Sequence, residues 1–194
     1  MNPVLVADHP ALDFVGTVAE RTTTRVDRLT APAALDGWLV DEGVLDEAPR
    51  ATADDLAAAV RLREALYTLL RAATAGEAAE DVGDGAPPVP HALPRDALAV
   101  VNAAAAGPAV TVTLTPDGRL LRTGDVTAAL AHIARAGAEV IGGPDRARLR
   151  WCADTTCTHP FLDRSRAGRR RWCGMAGCGD RAKARAYRAR RRAD

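Results

Sequence analysis

Apolar residues recur at helical spacing through the first half of the chain. Leu56, Val60, Leu62, Leu66, Leu69 and Leu70 form one stripe that extends to about Ala73. Thr52 precedes it with Asp55 three residues on, a capping-box arrangement that marks the helix start. Leu35, Trp38 and Leu39 share a face of a shorter helix, which begins near Thr30 and Pro32 and is ended by Gly43. Another helix is predicted from Pro94 to Ala106. Val110, Val112 and Leu114 then alternate with Thr111, Thr113 and Thr115, the period of a strand. Pro116-Asp-Gly118 is a turn, and Arg119 to Arg122 returns as a second strand. Asp125 caps a last helix through Leu130, Ile133, Ala134, Val140 and Ile141, which Gly142-Gly143-Pro144 stops. The opening stretch, Pro10-Ala-Leu-Asp-Phe-Val-Gly-Thr-Val18, has no decisive period and reads as either a short buried strand or a helix. Gly76 to Pro90 is acidic and rich in Gly and Pro, which reads as a mobile surface loop.

Beyond Gly-Gly-Pro, the best linker candidate, the composition changes. Residues 146–194 carry fifteen Lys and Arg against four acids, a balance of +11; residues 1–145 carry eleven Arg against twenty-one acids, a balance of −10. Such a division points to a polyanion-binding tail on an acidic body. No run approaches the ~20 apolar residues of a spanning helix, and Met1 to Pro10 lacks the basic start of a secretory signal. A soluble, cytoplasmic protein with no membrane partner is expected.

All four cysteines lie in the basic segment, at Cys152, Cys157, Cys173 and Cys178. Two short pairs joined by a longer spacer can supply four tetrahedral ligands, each pair forming a knuckle and the spacer bringing the knuckles together. Disulfides suit secreted chains, and an iron–sulfur cluster usually shows closer spacings, so the expected cofactor is one structural Zn2+ per chain. Four thiolates complete a closed site, so His159 is read as non-ligating and the site as structural, not catalytic. His9, His91 and His132 are isolated in sequence and read as ordinary surface or satisfied core residues. Few apolar residues accompany the cysteines, too few to fold this segment without a staple.

Two basic elements flank the cysteines. Arg164, Arg166, Arg169, Arg170 and Arg171 surround Ser165 in a loop or hairpin anchored by Phe161 and Trp172. After Cys178, alanines and arginines favour a helix that Asp180 can cap. On it Arg181, Arg185, Arg188 and Arg192 share one face, with Lys183, Arg190 and Arg191 adding charge. These twelve cations are the candidate nucleic-acid contacts. Arg181 and Arg185 lie nearest the metal and are the candidates for base edges; Arg190, Arg191 and Arg192 are candidates for phosphate contacts.

Trp172-Cys-Gly-Met-Ala-Gly-Cys-Gly-Asp-Arg181, preceded by Phe161-Leu-Asp-Arg-Ser-Arg166 and followed by Lys183 and further arginines, resembles the CGNR-type zinc finger over residues 148–192. In that family the finger follows an ABATE-type domain, proposed to be a stress-induced transcription regulator. Leu12-Asp-Phe-Val-Gly-Thr17 and the helix from Ala33 to Leu45 are similar to the start of that domain. Two positions depart from the pattern: Asp180 and Gly16 each stand where the family carries Asn.

The expected fold class is α+β. A mainly helical domain with a short β-hairpin, a candidate sensor, occupies residues 1–143; a four-cysteine zinc finger of knuckle, hairpin and basic helix occupies residues 146–194. The resemblance implies a bacterial DNA-binding transcriptional regulator, whose N-terminal domain could sense a small-molecule effector or stress signal. RNA or a protein is the alternative partner of the zinc module, and an uncharacterised enzyme is the alternative reading of the N-terminal domain. That domain shows no phosphate-binding glycine loop, nucleophile elbow or His cluster, so no enzyme is expected. Operator and oligomeric state have no signature in the sequence.

Overall fold

The computed structural model describes residues 9–75 and 92–193. The acidic Gly76–Pro90 segment and His91 lie outside them, as does the side chain of Arg192. Six helices and three short antiparallel hairpins follow one another along the chain among the described residues.

The ambiguous opening stretch is a helix, α1 (Pro10–Val15), with proline in its first turn. Residues 11–15 are all buried, which explains why no period was visible: a short element covered on every side has no polar face to alternate with. α1 lies against α3 (Ala53–Thr74) and α5 (Val126–Gly142), and α4 (Arg95–Ala105) packs on both of those. Gly137 on α5 makes this possible, because a Cβ there would collide with Leu66 of α3. α2 (Pro32–Asp41) packs on α3, and its Trp38 meets Phe14 of α1 with ring centroids 5.1 Å apart.

The predicted caps of α3 and α5 form. Thr52 and Asp55 exchange both capping-box bonds, and Asp125 accepts from the Ala128 amide at 2.8 Å. α2 ends in a Schellman motif: Gly43 takes φ +69°, its amide donates to Val40, and the Val44 amide donates to Leu39. The predicted hairpin is β3 (Thr111–Leu114) with β4 (Leu120–Thr123), and its four apolar side chains Val112, Leu114, Leu120 and Leu121 are exposed.

Sequence periodicity missed two hairpins. β1 (Val18–Ala19) pairs with β2 (Val26–Asp27), and β5 (Leu149–Trp151) pairs with β6 (Pro160–Leu162). Each strand is too short to show a period of two. The Gly142-Gly143-Pro144 segment is no loose connection: Gly143 caps α5 and Pro144 opens a 3-10 turn (Pro144–Arg148) that leads directly into β5. The apolar core runs across this junction. Leu149, Phe161 and Leu162 are buried in the same cluster as α1, α3 and α5.

The final helix starts earlier than expected. A π turn (Met175–Gly179), closed by the Gly179 amide on the Gly174 carbonyl, runs without a break into α6 (Asp180–Ala193). Asp180 therefore does not cap: it is already helical, exposed, and paired with Lys183 one turn on.

Candidate metal centre and basic surface

Cys152 follows β5, and Cys157 sits in the loop before β6 on a turn whose Cys157 amide donates to the Asp154 carbonyl at 2.9 Å. Cys173 follows the arginine-rich loop, and Cys178 lies inside the π turn. The Ala153 amide donates to the Arg171 carbonyl at 2.8 Å, which ties the first knuckle to the second. The four sulfurs all lie within 4.8 Å of one another, with Cys157–Cys173 and Cys173–Cys178 both at 3.7 Å. That is the edge of a tetrahedron with arms of about 2.3 Å, the zinc–thiolate bond length. All four are free cysteines.

Four sulfurs this close cannot all carry charge unless a cation lies among them. Hydrogen bonds from Cys157 and Cys173 pull the Cys152 thiol far below its ordinary value, whereas its neighbours push the Cys157 thiol up to about 12 and the Cys173 thiol up as well. Without a metal the sulfurs hold one another back from ionising together. A bound divalent metal lifts that restriction, since coordinated thiols are deprotonated. The donor set and spacing fit zinc, which would fold the segment without offering an open coordination position.

His159 is not a ligand. Its Nε2 donates to the Gly16 carbonyl at 2.8 Å, and its Nδ1 lies 3.2 Å from Cys157 Sγ. Gly16 is helical at φ −68°, so the glycine is there for space: a Cβ would lie 2.6 Å from His159 Cδ2. At the Gly16 departure a histidine from the finger thus occupies the space that a side chain would take. His9 differs from its expected role, because its Nδ1 is buried with no hydrogen-bond partner; His132 is exposed.

A second joint lies on α3. Trp151 Nε1 donates to Thr74 Oγ1 at 2.9 Å, its ring meets Tyr67 edge-on at 5.5 Å, and Arg71 lies over it at 4.7 Å. Tyr67, Arg71 and Thr74 are one face of α3 at helical spacing. Arg21 stacks on Tyr67 at 4.1 Å and pairs with Glu64 at 2.5 Å.

The basic loop after β6 is built on a buried acid. Asp163 accepts from the Ser165 amide and hydroxyl and from the Arg170 amide, at 2.9, 2.6 and 2.8 Å. Burial alone would raise its carboxyl; these bonds outweigh that and hold it below the usual range. Gly168 at φ +61° turns the chain back. The five loop arginines are exposed but not equivalent. Arg164 pairs with Asp145 at 3.6 Å, Arg170 donates to the Trp172 and Cys173 carbonyls and lies over Phe161, and Arg171 lies over Trp172. Among the described residues Arg166 and Arg169 have no such partner.

On α6, Arg181 donates to Asp154 at 3.2 Å and to Cys178 Sγ at 3.0 Å, and Arg185 pairs with Asp154 at 3.5 Å. Arg191 lies over Tyr187 at 5.9 Å, and Arg188 and Arg190 are exposed without partners among the described residues. The candidate cations thus fall into two groups, one engaged within the protein and one open to solvent.

Residues 8–144 match the ABATE family, described as a putative stress-induced transcription regulator. This chain belongs to the ABATE family. Residues 148–191 match the CGNR zinc finger, so the cysteine tetrad is the metal centre of that finger. No curated protein matches the chain. No helix among the described residues is long and apolar enough to cross a membrane.

Proposed function

We propose that this ABATE–CGNR protein is a transcriptional regulator that binds DNA through its zinc-stapled C-terminal module, with the body formed by residues 1–143 receiving a ligand or stress signal. One observation carries the reading. Arg166 and Arg169 on the loop, and Arg188 and Arg190 on α6, are exposed cations without internal partners among the described residues, on the two elements held by one metal centre. Like charges along one helix repel, and a polyanion relieves that repulsion while releasing its counterions. The acidic balance of the body leaves the finger as the polyanion-binding face.

The test is fluorescence anisotropy of the zinc-loaded full chain with random duplex DNA and RNA across a salt series, followed by sequencing of genomic fragments retained by the protein. Binding to DNA with log affinity falling linearly against log salt, and enrichment of a common site, is the expected result. Binding to RNA alone assigns the module to RNA. No binding to either overturns the reading.

A further inference from the structure

Between the first two zinc ligands the chain buries an acid. The Asp154 side chain has no exposed surface. Its Oδ1 accepts from the Thr156 amide and hydroxyl at 3.3 and 3.1 Å, closing the knuckle turn. Its Oδ2 faces α6, where Arg181 Nε lies at 3.2 Å and Arg185 Nη2 at 3.5 Å. Arg181 Nη2 donates to Cys178 Sγ as well, so one guanidinium bridges the carboxylate of the first knuckle and a sulfur of the second. The described side chains of α6 are otherwise exposed almost throughout, so apolar packing does little to set its direction.

On a surface meant only to attract phosphate, this arrangement is a defect. A carboxylate repels phosphate and occupies two of the cations. It makes sense if orientation matters. Charge-assisted bonds to a carboxylate that is itself buried are directional, and two of them one turn apart fix both the position and the rotation of a helix.

We propose that Asp154 is a positioning residue, which holds Arg181 and Arg185 and thereby sets the direction in which α6 is presented to DNA. The inference rests on the nucleic-acid reading above. Arg181, gripped by carboxylate and sulfur, is the anchor. Arg185 is half exposed and held by the longer contact; most of its five N–H donors remain for a phosphate or a guanine edge. Arg188 follows on the same face. Asp154 thus favours site preference over total attraction.

Asp154→Asn is close to isosteric and keeps an oxygen for Thr156. The variant should retain one zinc per chain and show faster amide exchange in α6. Its preference for the enriched site over random duplex should fall about tenfold. Its affinity for random duplex at low salt should rise, with the salt slope steeper by one to two units, because two guanidiniums become free for phosphate. Arg181→Lys keeps every charge but cannot span carboxylate and sulfur; it should lose site preference with its salt slope unchanged, and it decides the matter if Asp154→Asn loses zinc. Unchanged α6 exchange together with an unchanged site ratio in a zinc-loaded variant overturns the proposal. If the parent protein binds no nucleic acid, the functional reading falls, and α6 exchange alone then decides: faster exchange supports the anchor, and unchanged exchange refutes it.

Discussion

The Gly16 carbonyl accepts a hydrogen bond from His159 Nε2 at 2.8 Å, and the same glycine leaves the space in which the histidine ring lies. A methyl at position 16 cannot coexist with the ring in this place. Gly16→Ala should cost roughly 1–3 kcal/mol of stability, the range for overpacking a close contact. Most of that cost should vanish in a His159→Ala background, giving a coupling of at least about 1 kcal/mol in a double-mutant cycle of thermal melts. Additive effects would show that the two residues do not constrain each other.

Removing the metal should reach beyond the finger. Residues 149–193 fold around the cysteines, but Phe161 and Leu162 are buried against α1 and Trp151 is seated on α3. A zinc-free Cys173→Ser variant should lose exchange protection throughout the finger. The body should stay folded with a melting temperature several degrees lower, because losing one buried Phe alone is worth about 3–5 kcal/mol. Hydrogen exchange separates the two regions, and an unchanged body would show that the shared core adds nothing to it.

Acid should weaken the body through one network. Arg63 has no exposed side-chain surface; it pairs with both oxygens of Asp27 at 2.7 Å and donates to Thr17 and Glu64 at 3.1 Å each. Burial alone would raise the Asp27 and Glu64 carboxyls, but the arginine bonds outweigh it and hold both below their ordinary values. Groups with lowered folded pKa values stabilise fully above their unfolded values, near pH 4 to 4.5, and that stability is lost as pH falls through the folded ones. Asp27→Asn should therefore cost about 1–3 kcal/mol at pH 7, because it removes a charge-assisted pair and leaves the buried guanidinium with Glu64 as its carboxylate partner. In urea unfolding the gap between variant and parent should narrow towards pH 3; a constant gap would remove the ion pair as its cause.

The two open loop arginines should act through charge alone. Arg166→Ala and Arg169→Ala should each weaken binding to the enriched site and to random DNA by equal factors, and lower the salt slope by about one unit. Arg170→Ala should behave differently, because this side chain donates to the Trp172 carbonyl and covers Phe161. It should lower the thermal stability of the finger as well as its affinity.

The long elements and the metal centre were legible because each has a local signature. Thr52 and Asp55 announce α3, Asp125 announces α5, and the cysteine spacing announces the tetrad. What the sequence hid is held together by partners far along the chain. Gly16 meets residue 159 and Trp151 meets Tyr67 and Thr74, contacts that no window of neighbouring residues contains. The same distance hid the role of Asp154, which sequence reading leaves as one acid among many arginines. Asp180 was misread for the opposite reason: an aspartate after glycine is a common helix start, but the cysteine before it is already drawn into a helical turn by its place in the tetrad.

Trp151 precedes a zinc ligand by one position and stands edge-on to Tyr67, with a guanidinium from α3 across its face. Cutting the chain between residues 144 and 148 would therefore leave a raw surface on both pieces: an uncovered aromatic seat on α3, and a finger carrying Trp151, Phe161 and Leu162 into water. The finger should therefore not behave as a portable cassette. With Trp38 and Trp172 replaced, emission from the remaining indole should report whether the module is seated, so any loosening of the body would be visible at the metal end of the molecule without an added label.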